Sequence, residues 1–266
     1  MDDVAAAANA RRALALVDLT DLNDNCTAVD VARLCNRAMG LYGITAAVCV
    51  WPRFVAQAAD LVRSSGVRVA TVVNFPAGGV DVAATVAETS QAVADGADEI
   101  DMVLPYASFL AGHIDVAVSM VRAVRVVAQP PMKMKVILET GEYPDLDRVA
   151  AAARLAIEHD ADFIKTSTGK TSLSATLGAA VTILEQIRRS GRPVGIKPSG
   201  GIRTLDDATR YLVAADEMMG PAWATPATFR FGASGLLDAV EAAIAVTDAA
   251  VRASAADDAV PLPGSY

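Results

Sequence analysis

Two lysines carry the chemistry legible in this sequence: Lys165 in FIKTSTGK and Lys197 in GIKPSGG, each inside a short β-rich run. A lysine adds to a carbonyl, giving a carbinolamine and then an imine, only as the free amine. Its reference pKa of about 10.4 leaves little amine at neutral pH. A second ammonium nearby and partial desolvation both disfavour protonation, so Lys165 reads as the nucleophile and Lys197 as the group that tunes it. A carboxylate within reach would move protons through a water during dehydration and C–C cleavage, and Asp101 in EIDMVLP is the best candidate. Three glycine-rich turns follow at KTSTGK, KPSGGIR and FGASG, two of them carrying a cation, Lys170 or Arg203. Such turns offer the backbone N–H groups that cradle a phosphate.

The elements that must position these groups follow a regular rhythm. Short β-rich runs alternate with Ala-rich stretches of helical period, which implies βα units and a parallel sheet. Eight runs are legible: 14–20, 45–51, 67–75, 99–105, 134–140, 163–169, 194–200 and 228–234. Eight units point to a closed (β/α)8 barrel over 1–254, with an N-terminal helix and a loose, Pro- and Gly-containing tail over 255–266. An open doubly wound sheet is the weaker alternative.

In such a barrel alternate residues face the helices or the interior. Ile100, Met102, Met134, Val136, Ile164 and Ile196 fall on the outer parity. Asp18, Glu99, Asp101, Lys135, Glu139, Lys165 and Lys197 fall on the inner one. Barrel interiors are normally Val, Ile and Leu, and burying an isolated charge costs several kcal/mol, so this interior needs a reason. An ion-pair network would account for each acid. Two lysines on adjacent strands are harder to explain that way.

Composition narrows the partners. The chain has 266 residues, 53% of them apolar, and a net charge of −8 with no basic stripe, which argues against nucleic acid and anionic membranes. No run reaches the roughly 18 apolar residues of a membrane helix. Cys26, Cys35 and Cys49 lack paired spacings, fitting a reducing cytoplasm; Cys49 sits where a strand residue would line a pocket, although a small buried thiol is the commoner role. His113 and His159 lack ligand spacing, so no metal is expected, and no nucleotide motif occurs.

With these residues in view, the sequence resembles the deoxyribose-phosphate aldolase family. The likeness runs from LVDLTDLND through VCVWPRF, TVVNFPAGG, GADEIDMVLPY, VILETGE, ADFIKTSTGK and VGIKPSGGIR to FRFGASG, nearly the whole chain. It implies a class I aldolase that reversibly cleaves 2-deoxy-D-ribose 5-phosphate to D-glyceraldehyde 3-phosphate and acetaldehyde, in deoxyribose phosphate catabolism, without metal or organic cofactor. By the same resemblance Lys165 is the Schiff-base lysine, Lys197 its perturbing lysine, Asp101 the proton-relay aspartate, and Tyr266 a terminal tyrosine that exchanges protons at the enamine carbon. The family's phosphate contacts fall on Gly169, Lys170, Gly200, Gly201, Arg203, Gly232 and Ser234, and Asp18, Thr20, Cys49, Thr168 and Gly235 complete the substrate-binding set expected here. One departure is visible: related members often carry Ser where this chain has Gly235, so a hydroxyl contact to phosphate is missing and non-phosphorylated aldehydes become a secondary expectation. A homodimer is the working expectation for assembly, although no heptad or apolar patch supports it. A Schiff-base aldolase for another donor, and a non-catalytic sugar-phosphate binder, stay open at this point.

Overall fold

The computed structural model describes residues 3–257. The eight β-rich runs become eight parallel strands: β1 (Val17–Asp21), β2 (Ala47–Val50), β3 (Arg68–Val73), β4 (Glu99–Val103), β5 (Lys133–Ile137), β6 (Phe163–Lys165), β7 (Gly195–Lys197) and β8 (Phe231–Ala233). Each is shorter than its run; in most, the carboxyl-terminal part of the run leaves the ladder and becomes a loop over the barrel mouth, whereas β1, β2 and β8 lose chiefly amino-terminal residues. FIKTSTG is the clearest case: pairing ends at Lys165, and Thr166 to Gly169 turn across the top.

Sheet order is β8-β1-β2-β3-β4-β5-β6-β7. Bridges between Ile196 and Phe229 and between Ser199 and Gly232 join β7 to the β8 segment. Arg230 N donates to Ile196 O and Gly232 N to Pro198 O, both at 2.9 Å. The barrel therefore closes, and the open-sheet alternative falls.

The helices start where sequence signals place them. Thr27 and Thr204 form capping boxes with Asp30 and Asp207, while Asp81, Asp145 and Thr176 each accept a backbone N–H at a helix start. Each cap contributes roughly 1 kcal/mol. Between strands and helices lies the main apolar core, where Val48, Val69, Ile100, Met102, Met134, Val136, Ile164 and Ile196 of the outer parity pack on Ala-rich helix faces. The last helix, Leu236–Asp257, runs into the segment 255–266, the rest of which lies outside the described residues; so does Tyr266. Among the described residues no helix is long and apolar enough to cross a membrane, and no cluster of His, Cys, Asp and Glu could hold a metal ion.

Candidate active site

Inside the barrel the period-2 pattern brings together charges from five strands and from Arg230, just before β8. Lys165 ends β6 and Lys197 ends β7, side by side in the ladder register. Lys165 Nζ donates to Asp101 Oδ2 at 2.8 Å. Lys197 Nζ donates to the same oxygen at 2.6 Å and pairs with Asp18 Oδ2 at 2.6 Å. Below them Lys135 Nζ reaches Glu99 Oε2 at 2.6 Å and Asp101 Oδ1 at 2.7 Å, with Asp18 Oδ2 at 3.5 Å. Arg230 closes the network, donating to Asp18 Oδ1 at 2.6 Å and to Glu99 at 2.8 and 3.2 Å.

Glycines make room for this packing. A Cβ on Gly195 would collide with the inward Phe163 ring, and one on Gly232 would clash with Ser199 and sit 3.1 Å from Lys197 Cε. The glycines beside the lysines are thus required by the interior, whatever else they do.

The two lysines differ in their surroundings. Burial disfavours both ammoniums. At Lys165 burial wins: one carboxylate, Asp101, opposes it, while the charge of Lys197 adds to it, and the pKa is lowered. At Lys197 burial is overcome by Asp101 and Asp18 together, and the pKa is raised. Lys135 is likewise raised, by Asp101 and Glu99 against burial. Burial would raise Asp101, but Lys135, Lys165 and Lys197 hold it well below the usual carboxylate range; Asp18 is held down in the same way by Lys197, Arg230 and Lys135. Lys165 is therefore the cation of this network that releases its proton most readily.

Lys165 also floors a cavity of about 240 Å³ at the carboxyl-terminal mouth, lined by Thr20, Thr168, Gly169, Lys170, Gly200, Gly201, Arg203, Gly232 and Ser234 among others. Gly169, Gly200 and Gly201 have φ of 79°, 84° and 82°, a region that side chains disfavour, so the turns of the rim depend on glycine. A larger cavity, about 690 Å³, opens at the opposite end of the barrel and is lined by Arg68, Glu99, Lys133, Phe163 and Arg230. It lacks Lys165 and the glycine turns, so size does not mark the reactive end.

Some expected contacts lie elsewhere. Asp18 is fully buried in the ion network and does not line the upper cavity. Cys49 is buried among Leu22, Ala47, Ala70 and Val72, where burial pushes its thiol pKa up. Gly235 stands beyond the lining residues, with open space where a side chain would extend.

Other residues went unassigned in the sequence. Asn23 and Ser199 line the cavity. Ser199 N donates to Thr166 Oγ1 at 3.0 Å, tying the β6 and β7 loops together. Glu139 had an inward parity and no role. It adopts a left-handed backbone (φ 62°, ψ 57°) and takes hydrogen bonds from Thr168 Oγ1 at 2.5 Å, Thr168 N at 3.2 Å and Thr171 Oγ1 at 3.3 Å. A non-glycine residue held there costs about 1–3 kcal/mol, offset here by anchoring the loop that carries Gly169 and Lys170. Lys170 Nζ lies 3.2 Å from Asp24 and 5.8 Å from the centre of the Trp51 ring, which packs edge-on against Phe75 of NFPAGG.

A buried amine with a depressed pKa, beneath a rim of glycine turns and two cations, suits imine chemistry on a small anionic carbonyl compound. Residues 12–241 match the family model described as DeoC/LacD family aldolase. A curated deoxyribose-phosphate aldolase of Agrobacterium fabrum is 52% identical over 242 residues, 91% of this chain and 93% of that protein. Among solved structures, a candidate deoxyribose-phosphate aldolase of Toxoplasma gondii ME49 superposes with a TM-score of 0.86 at 26% identity, covering 94% of this chain and 99% of that one. A tetrameric deoxyribose phosphate aldolase of Aeropyrum pernix, at 22% identity and a TM-score of 0.73, covers 91% of this chain and 96% of that one and shares the fold.

Proposed function

The chain belongs to the DeoC/LacD family of aldolases, and from that premise we propose that it cleaves 2-deoxy-D-ribose 5-phosphate reversibly to D-glyceraldehyde 3-phosphate and acetaldehyde, in deoxyribose phosphate catabolism in the cytoplasm. The observation that carries this reading is the unequal treatment of two adjacent buried lysines: Lys165 has one carboxylate partner and a lowered pKa, Lys197 has two and a raised one.

In this mechanism the Lys165 amine attacks the aldehyde carbon of the open-chain sugar, and the carbinolamine loses water to give a protonated imine. The C3 hydroxyl gives up its proton as the C2–C3 bond breaks, and the bonding electrons pass into the imine to form an enamine. Glyceraldehyde 3-phosphate leaves. Protonation of the enamine at C2 and hydrolysis of the imine release acetaldehyde and restore the amine. The imine itself is the electron sink, so the chemistry asks for no metal or organic cofactor. Asp101, bonded to Lys165, Lys197 and Lys135, is the proposed relay for these protons. Thr20, Thr168, Gly169, Lys170, Gly200, Gly201, Arg203, Gly232 and Ser234 surround the space proposed for the sugar phosphate, and Tyr266 keeps its proposed part in proton exchange. A homodimer stays the proposal for assembly, to be decided by sedimentation.

Incubation with acetaldehyde and borohydride, followed by peptide mapping, tests the reading. A reduced adduct on Lys165 is expected. Trapping on another lysine, or none with active protein, overturns it.

A further inference from the structure

The interior network holds more positive groups than negative ones. Lys135, Lys165, Lys197 and Arg230 stand against Asp18, Glu99 and Asp101, so with every group ionised one positive charge has no counterpart within this ion-paired network; buried Glu139 stands apart from it, turned to Thr168 and Thr171 of the rim. Burial makes such a surplus expensive, and release of one proton removes it. Arg230 cannot supply that proton, because a guanidinium stays charged throughout the accessible range. A lysine must supply it. Lys135 touches three carboxylates and Lys197 two, whereas Lys165 touches only Asp101.

We propose that Arg230 is a positioning residue for the reaction: by claiming Asp18 and Glu99 with a charge that cannot be discharged, it forces the surplus proton off the network at Lys165. It rests on the reading of Lys165 as the imine-forming amine. Arg230 immediately precedes β8 and lines the lower cavity, so it acts from the far mouth of the barrel without touching the substrate space. Its guanidinium is 4% exposed as a residue, faces Asp18 from β1 and Glu99 from β4, and lies over the Phe163 ring of β6 at 5.5 Å. Its Nε donates to Pro226 O at 2.5 Å, which fixes the fork toward both acids. Lys165, in turn, faces Asp101 from β4, Lys197 from β7 and Cys49 from β2. The chain of contacts from one mouth to the other is Arg230, Asp18, Lys197, Asp101, Lys165, with a parallel branch through Glu99 and Lys135.

The test uses charge counting in both directions. Arg230→Met leaves three lysines against three carboxylates, so Lys165 keeps its proton to higher pH. Glu99→Gln leaves four cations against two carboxylates, so Lys165 loses it at lower pH. The double variant restores the surplus of one. The acid limb of kcat/KM for deoxyribose 5-phosphate cleavage is the readout, with the pH dependence of borohydride trapping at Lys165 as its direct counterpart. A unit charge acting over about 10 Å at an effective dielectric of about 20 moves a titration by roughly one pH unit. Arg230→Met is therefore expected to move the limb up by about that much, Glu99→Gln to move it down, and the double variant to return it toward the parent. Coincident limbs, or shifts of the same sign in both single variants, overturn the proposal. Should Arg230→Met fail to fold, Glu99→Gln and the double variant decide it: a double variant displaced as far as Glu99→Gln alone overturns the proposal. If the parent traps nothing at Lys165, the aldolase reading falls instead. If trapping succeeds and the profiles do not move, only the role of Arg230 falls.

Discussion

Two sectors of the same barrel interior are built on opposite terms. β2 and β3 turn Ala47, Cys49, Ala70 and Val72 inward, packed with Leu22. β1, β4, β5, β6, β7 and the start of the β8 segment turn Asp18, Glu99, Asp101, Lys135, Lys165, Lys197 and Arg230 inward. Lys165 lies between these terms, held by the charged sector through one oxygen of Asp101 while Cys49 of the apolar sector faces it. Lys197 is held by two carboxylates. An amine nucleophile thus arises from being the least satisfied member of an otherwise well-paired network, and the apolar sector offers it no second acceptor.

Removing that member should have the largest effect. Lys165→Met deletes the nucleophile, and cleavage should fall by roughly 10⁴-fold or more. Stability should move the other way. Because the native pKa of Lys165 is lowered, its protonated form is penalised in the folded state at pH below the ordinary lysine value, and the variant has no such penalty. Thermal unfolding at neutral pH should show no fall in Tm, with a rise of roughly 2–4 °C for each kcal/mol relieved. A large drop in Tm would mean that Lys165 is a structural cation.

The next effect erases the contrast between the lysines. Lys197→Met leaves Lys165 as a main partner of Asp101, raises the Lys165 pKa and should lower kcat/KM at neutral pH by roughly 10²–10³-fold, with the acid limb moved to higher pH. Partial recovery of rate in alkaline buffer is the expected sign. A uniform loss at every pH would argue against tuning by charge. The smallest effect sharpens the rim. A Cβ at Gly235 meets nothing within 4 Å, and its φ lies outside the left-handed region, so Gly235→Ser fits without strain. Because Gly235 directly follows the lining Ser234, an added hydroxyl that reaches the rim should lower KM for deoxyribose 5-phosphate by about 2–5-fold and leave unphosphorylated deoxyribose unchanged, whereas an unchanged KM would place position 235 outside the phosphate site.

Much of this was legible because period 2 is a strict rule. Once eight strands are recognised, inward Asp101, Lys135, Lys165 and Lys197 follow from outward Ile100, Met134, Ile164 and Ile196. Arg230 obeys the same parity as Gly232 and Ser234, yet FRFGASG reads first as a phosphate turn. The partner that explains it, Asp18, is 212 residues away in the chain. Asp18 was for the same reason expected against substrate when its oxygens are taken up by Lys197 and Arg230. Glu139 was hidden for a local reason: its left-handed backbone is one that glutamate seldom adopts, so no propensity announces it, and only the loop it anchors shows its use.

The stacking of Lys170 above Trp51 gives the protein an optical reporter of its own. Indole emission responds to a cation held over the ring and to the hydration around it. A phosphate at the rim would compete with Asp24 for the Lys170 ammonium, changing the cation environment of the indole, over which Arg53 also lies at 5.5 Å. Occupancy of the mouth is therefore expected to change Trp51 emission, over the background of Trp223, separately from whether any bond is made or broken beneath it.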